Sequence, residues 1–183
     1  MQLSNIYLLF KEHPIVVTDT RKIVPNSIFF ALKGDNFNGN KFAMSAVEKG
    51  CNYAIIDEKE YAVDNRFVLV EDVLAPLQDL AREHRRQLNI PILAITGTNG
   101  KTTTKELVHE VLRRKYQTAA TIGNLNNHIG VPLTLLSMNV DTEFGIVEMG
   151  ANHPGEIQQL CEIAEPDYGI ITNVGKAHLE GFG

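Results

Sequence analysis

The sequence predicts an α/β protein in two parts: a small α/β domain over residues 1–88, then a phosphate-loop domain over residues 89–183 with a parallel sheet. Three observations predict it. Short apolar runs alternate with helix-period segments along the whole chain. A turn-forming stretch, Asn89-Ile-Pro91, separates two such series. In the second series, strand, helix and strand follow one another at the spacing of right-handed crossovers.

In the first series Val16–Val17 and Ile28–Leu32 read as strands, and residues 33–41, rich in Gly, Asp and Asn, as a loop. Phe42–Lys49 reads as a short helix stopped by Gly50 at the position after its C-cap. Tyr53–Asp57 and Phe67–Val70 are further strands. Asp72 is placed to cap the next helix. Val73, Leu74, Leu77, Leu80, Ala81, His84 and Leu88 line one face of it; Asp79, Arg82, Glu83, Arg85 and Arg86 line a face expected to be solvated.

In the second series Ile92–Thr96 is a buried-strand run, and residues 97–101 form a glycine turn. Thr102–Lys115 reads as a helix with Leu107, Val108, Val111 and Leu112 inward. Phe144–Met149 and Tyr168–Thr172 are strands flanking a helix at Gly155–Ala164.

Composition narrows the function. A hydrophobic fraction of 44% suffices for a core, and a net charge of −5 without a Lys/Arg run argues against nucleic acid as a partner. A small phosphate remains possible, because backbone N–H groups hold it without a basic patch. No run approaches the roughly 20 apolar residues of a membrane span, and the first residues lack a signal-peptide pattern. Cys51 and Cys161 show no metal or redox spacing and read as buried reduced thiols. These features predict a cytoplasmic protein without a membrane span.

The sharpest motif is Ile92-Leu-Ala-Ile-Thr-Gly97-Thr-Asn-Gly100-Lys101-Thr102-Thr103. A hydrophobic strand enters a glycine turn, and Lys-Thr opens a helix. Glycines let successive amides curl toward one phosphate, and the helix N-terminus adds its dipole. Gly97, Thr98, Asn99, Gly100, Lys101, Thr102 and Thr103 are therefore candidate ATP contacts. Lys101 is placed for the β- and γ-phosphates, and Thr102 for Mg²⁺. The loop is the short G-x-x-G-K-T form, with Ile95 where the general pattern has glycine. Glu148, at the C-terminal end of an apolar strand, is a second candidate for Mg²⁺.

The short loop and several further blocks resemble the Mur ligase superfamily. The blocks are Gly123-Asn-Leu-Asn-Asn-His-Ile-Gly130-Val-Pro132, Val147-Glu148-Met-Gly-Ala-Asn-His-Pro-Gly-Glu156, and Ile171-Thr-Asn-Val-Gly-Lys-Ala-His178-Leu-Glu-Gly-Phe-Gly183. Upstream, Thr18-Asp19-Thr20-Arg21 and Phe29-Phe30-Ala-Leu-Lys33-Gly34, with Asn38-Gly39, are similar to the family's UDP-sugar-binding domain. Asn-Leu-Asn-Asn, where the MurE branch shows Asn-Thr-Thr-Pro, favours the branch that adds D-alanyl-D-alanine. Thr20 and Asn38 depart from the family's usual Ser and Asp.

The resemblance implies an ATP- and Mg²⁺-dependent ligase joining D-alanyl-D-alanine to UDP-MurNAc-tripeptide through an acyl phosphate, in peptidoglycan precursor synthesis. It implies Lys101, Glu148, His178 and Asn127 as catalytic residues, and Thr102, Glu148 and His178 as metal ligands. Thr20, Arg21, Lys33, Gly34, Asn38, Gly39, Asn124 and Asn126 become substrate contacts. Asn152 and His153 follow Glu148 toward the substrate. It further implies that family members continue beyond residue 183, that this chain is an N-terminal fragment, and that the full-length parent is a monomer. Two alternatives stay open: a UDP-sugar- and nucleotide-binding module without turnover, and a MurE- or folylpolyglutamate-synthase-like ligase.

Overall fold

A computed structural model describes residues 3–175; His178 lies outside the described residues. By backbone contacts the chain forms two compact units, Met1–Leu80 and Ala81–Gly183. The division falls inside a helix rather than at the Asn89–Pro91 turn.

The first unit carries a parallel sheet in the order β1-β2-β5-β6. The strands are β1 (Ile15–Val17), β2 (Ser27–Phe30), β5 (Cys51–Ile56) and β6 (Phe67–Leu69). Every residue of β2 is buried, as parallel strands covered on both faces require. Helix α2 (Ala43–Glu48) lies against β5 and buries Ala43, Ala46 and Val47, side chains small enough for close packing. Phe29, Ala54, Ile56 and Phe67 complete this core.

Two elements depart from expectation. Helix α1 (Leu3–Glu12), with Ile6 and Phe10 buried, was not foreseen. The expected loop at 33–41 contains a two-stranded antiparallel hairpin, β3 (Lys33–Gly34) and β4 (Phe37–Asn38), then a 3₁₀ turn at Gly39–Phe42. Strands of two residues leave no periodic signal.

Helix α3 (Leu74–Leu88) begins as predicted: Asp72 Oδ2 accepts the Ala75 amide at 2.8 Å. Arg85, expected in solvent, is 8% exposed. Its guanidinium donates to the carbonyls of Ala164 and Glu165 and to Asp167 Oδ2 at 2.8 Å. Asp167 Oδ2 also accepts the Ile92 amide at 2.7 Å. The end of another helix, with its unpaired carbonyls, draws the cation inward.

The second unit has a parallel sheet in the order β10-β7-β9-β8. Its strands are β7 (Ile92–Thr96), β8 (Thr118–Ala120), β9 (Phe144–Glu148) and β10 (Tyr168–Ile171). The connecting helices are α4 (Lys101–Leu112), α5 (Gly130–Leu136) and α6 (Glu156–Ala164). From β7 the chain crosses by α4 toward β8; from β9 it crosses by α6 toward β10, the other way. The carboxyl ends of β7 and β9 therefore flank a topological switch point, where open α/β sheets take their ligands.

Val108 and Leu112 of α4 pack on Leu93, Ile95 and Ile146 as expected. Leu107 and Val111 do not: they are 65% and 71% exposed. The inward stripe runs instead through Lys105, Val108 and Leu112, which moves Leu107 and Val111 off the core face. Cys51 is buried, whereas Cys161 is only partly so; both are free thiols. Among the described residues no helix is long and apolar enough to cross a membrane.

Candidate functional site

The phosphate loop leaves the end of β7 at the switch point. Gly97 has φ +135°, and a Cβ there would lie 2.2 Å from Thr172 Oγ1, so only glycine fits. The segment after β10 braces the loop. Asn173 accepts the Thr98 amide with its carbonyl at 3.1 Å and the Asn99 amide with its Oδ1 at 3.0 Å. Thr172 Oγ1 donates to the Asn99 carbonyl at 2.6 Å, and the Gly175 amide donates to Thr98 Oγ1 at 2.9 Å.

The amides of Thr98 and Asn99 are therefore already occupied, unlike the fully converging ring that the motif suggests. Helix α4 starts at Lys101, and its first i→i−4 bond runs from Thr104 to Gly100. The amides of residues 100–103 are the ones a helix leaves for a ligand. Lys101 folds over the loop, its Nζ donating to the Gly97 carbonyl at 2.6 Å and to that of Thr98 at 3.3 Å. Thr102 and Thr103 are exposed on the first turn.

Beside the loop, Glu148 closes β9 and is 2% exposed. Its Oε1 accepts from Asn126 Nδ2 at 2.9 Å, while Oε2 is buried with no hydrogen-bond partner among the described residues. A buried carboxylate oxygen without a donor is costly unless something absent from the protein pairs it. Among the described residues no cluster of three His, Cys, Asp or Glu side chains could hold a metal ion. A single carboxylate suits Mg²⁺, which is held by one or two of them together with phosphate oxygens and waters.

A cavity of about 370 Å³ opens between these elements, lined by Lys101, Asn124, Asn126, Asn127, His128, Asn152 and Glu156 among others. The predicted amide turn thus meets the predicted lysine. Asn127 is partly committed: its Oδ1 accepts the amides of Ile129 and Gly130 at 3.1 and 2.9 Å, starting α5. Glu156 Oε2 accepts the amides of Asn152 and His153, and those bonds lower its carboxyl below the usual range.

The substrate candidates of the first unit fall in two places. Lys33, Gly34, Asn38 and Gly39 share the hairpin and its exit. Thr20 and Arg21 lie after β1, where the Thr20 carbonyl accepts from Lys49 Nζ and Arg21 forks onto Asp19. Hydrogen bonds from Arg21 pull the Asp19 carboxyl down to about 2. Lys33 Nζ pairs with Glu58 at 2.8 Å and Asp57 at 2.9 Å, which raises it to about 12. Asn38 Nδ2 donates to Glu58, and Asn40 Nδ2 to Asp57 at 2.7 Å. Gly39 is structural: a Cβ would meet the Leu32 carbonyl at 2.4 Å.

Sequence reasoning missed four contributors. Thr172 and Asn173 lay inside a quoted block but carried no stated role. Thr121 hydrogen-bonds the Glu148 amide through its hydroxyl at 2.9 Å, a contact that local pattern does not reveal. Lys105, 1% exposed, could have been found from its place on the inward stripe of α4.

Fold and site define an α/β protein with a short glycine loop at a topological switch point and a single buried carboxylate beside it. Comparison with known proteins narrows the class. The family model for the Mur ligase catalytic domain matches residues 14–85, and that for the Mur ligase middle domain matches residues 95–183. The chain belongs to the Mur ligase family.

It is 41% identical over 170 residues to the UDP-N-acetylmuramoyl-tripeptide–D-alanyl-D-alanine ligase of Bacillus subtilis, covering 92% of this chain and 37% of that protein. A crystal structure of MurF from Acinetobacter baumannii superposes with a TM-score of 0.83 at 37% identity, covering 92% of this chain and 37% of the other. The MurF ligase of Thermotoga maritima in complex with ADP gives 0.81 at 36% identity, covering 90% and 38%. The chain thus spans little more than a third of the length of the relatives it matches.

Proposed function

We propose that this chain provides the phosphate loop and the UDP-sugar-binding part of an ATP-dependent ligase that joins D-alanyl-D-alanine to UDP-MurNAc-tripeptide. One observation carries the reading. At the switch point, the open amides of a helix N-terminus and Lys101 stand beside a buried carboxylate oxygen that no donor among the described residues satisfies. The first pair is suited to phosphate, and the last to a cation bound with it.

A carboxylate is a poor electrophile, so the reaction needs it converted to an acyl phosphate before an amine can attack. The residues of this chain contribute positioning and charge neutralisation. Residues 100–103 hold the transferring phosphate by their amides, and Lys101 swings from the Gly97 carbonyl to the β- and γ-phosphates. Glu148 and Thr102 would hold Mg²⁺, which would supply charge neutralisation. Asn124 and Asn126 orient the substrate carboxylate across the cavity, and Asn127 positions the turn that bears them. Lys33, Gly34 and Asn38, with Thr20 and Arg21, take the UDP-sugar.

Calorimetric titration with ADP and Mg²⁺, run beside a phosphate-release assay with UDP-MurNAc-tripeptide, ATP and D-alanyl-D-alanine, tests the reading. Nucleotide binding that requires Mg²⁺ supports it. Binding of UDP-MurNAc-tripeptide without phosphate release would leave a binding module, and indifference to both ligands would sink the proposal.

A further inference from the structure

Lys105 lies one turn beyond Lys101 on α4 and is almost wholly buried. A methionine would fill the same space without desolvating a charge, so the ammonium must be explained by what it holds. Its Nζ donates to the Thr121 carbonyl at 2.6 Å and pairs with the exposed Glu106 carboxylate at 2.9 Å.

Thr121 is the first residue past β8. Its amide donates to the Ile146 carbonyl at 3.0 Å, which continues the β8–β9 ladder. In a regular parallel ladder the Thr121 carbonyl would next accept the amide of Glu148. Here Lys105 has taken that carbonyl, and the Glu148 amide goes to the Thr121 hydroxyl at 2.9 Å. The Thr134 hydroxyl faces the same oxygen at 3.4 Å. The ladder therefore ends one step early, at the residue whose carboxylate oxygen has no partner among the described residues.

We propose that Lys105 is a positioning residue for Glu148: by withdrawing the Thr121 carbonyl from the ladder, it hands the Glu148 amide to a hydroxyl and fixes where the carboxylate ends. The geometric part stands on these contacts alone. The consequence for cation binding rests on the reading of Glu148 given above.

The test uses the chain as it is, with Lys105→Met. With the Thr121 carbonyl released to the ladder, amide exchange at Glu148 should slow about ten-fold while Ile95, in the centre of the sheet, keeps its rate. The Mg²⁺ concentration for half-maximal ADP binding should rise about ten-fold, with Mg²⁺-free ADP affinity unchanged. Thr121→Val, which removes the hydroxyl while Lys105 still holds the carbonyl, should raise the Mg²⁺ requirement likewise but accelerate exchange at Glu148, and the double variant, with the carbonyl free, should return exchange to the Lys105→Met rate. Lys105→Gln, which keeps a donor, should recover most of the loss. Lys105→Gln and Thr121→Val carry the same measurements should the methionine variant not fold.

Exchange at Glu148 within about two-fold of the unsubstituted chain would overturn the proposal whatever the binding data show. These exchange changes in a chain whose ADP binding ignores Mg²⁺ would instead uphold the positioning and overturn the reading of Glu148 as a cation ligand.

Discussion

The two units hold similar kinds of polar side chain and use them in opposite ways. In the hairpin region of the first, Lys33, Asn38, Asn40, Asp57 and Glu58 satisfy one another. At the switch point of the second, the last oxygen of Glu148 has no partner among the described residues, and α4 opens with amides that its own turns cannot pair. A closed network supports a fold and must be broken for a ligand to enter. An open one is a standing cost that a ligand removes. The difference teaches that a binding site is recognised less by its residues than by what remains unsatisfied among them.

Four measurements break or sharpen this contrast. Gly97→Ala should act most strongly, because its Cβ must push through Thr172 and adopt a disfavoured φ. A loss of about 3 kcal/mol or more in the stability of the second unit is expected, with nucleotide binding abolished. Chemical denaturation followed by ADP titration checks it.

Lys101→Met should weaken ADP binding roughly ten- to hundred-fold, the worth of one charge-assisted hydrogen bond, while the melting temperature stays nearly constant. An equal fall in stability would show that the lysine serves the loop rather than the ligand. Glu148→Gln should stabilise the ligand-free protein by about 1 kcal/mol, since an amide group is cheaper to leave unpaired than a charged oxygen. It should also erase Mg²⁺ dependence. A destabilised Gln variant would mean that the carboxylate serves the fold.

The smallest effect belongs to the first unit. Lys33 is raised from 10.5 to about 12 by its bonds to Glu58 and Asp57. Its folded value lies above the unfolded one, so its contribution is complete below pH 10.5 and is lost as pH rises through about 12. NMR titration of the Lys33 side chain reads the midpoint. Because the lysine side chain is 41% exposed, Lys33→Met should cost well under about 1 kcal/mol. A larger loss would show that the network matters more to the fold than its exposure suggests.

Much of this architecture was legible, and the failures share causes. The buried strands β7 and β9, the Asp72 cap and the glycine turn between β7 and α4 were readable because each combines composition with a stereochemical requirement. Helix α5 was missed because seven residues that include Gly130 and Pro132 show too little of a helical period. Strand β8, at three residues, is too short for a period. Arg85 and Lys105 were misjudged or overlooked for one reason: a charge suggests solvent, and only tertiary structure discloses the carbonyl that each one meets. The site was visible as residues and invisible as a network, since Thr121 and Asn173 act on groups 27 and 74 positions away.

The bracing of Asn99 by Asn173 also sets an order of events during synthesis. The loop is translated 74 residues before the side chain that secures it. At ribosomal rates of about 5–20 residues per second, that gap is roughly 4–15 s. Throughout it, β7 and α4 can form, but β10 and its trailing segment do not yet exist. On the proposed function, competence to hold a nucleotide arrives only with the segment after the last described strand, so a nascent chain stalled before residue 173 should fail to be retained on immobilised ADP.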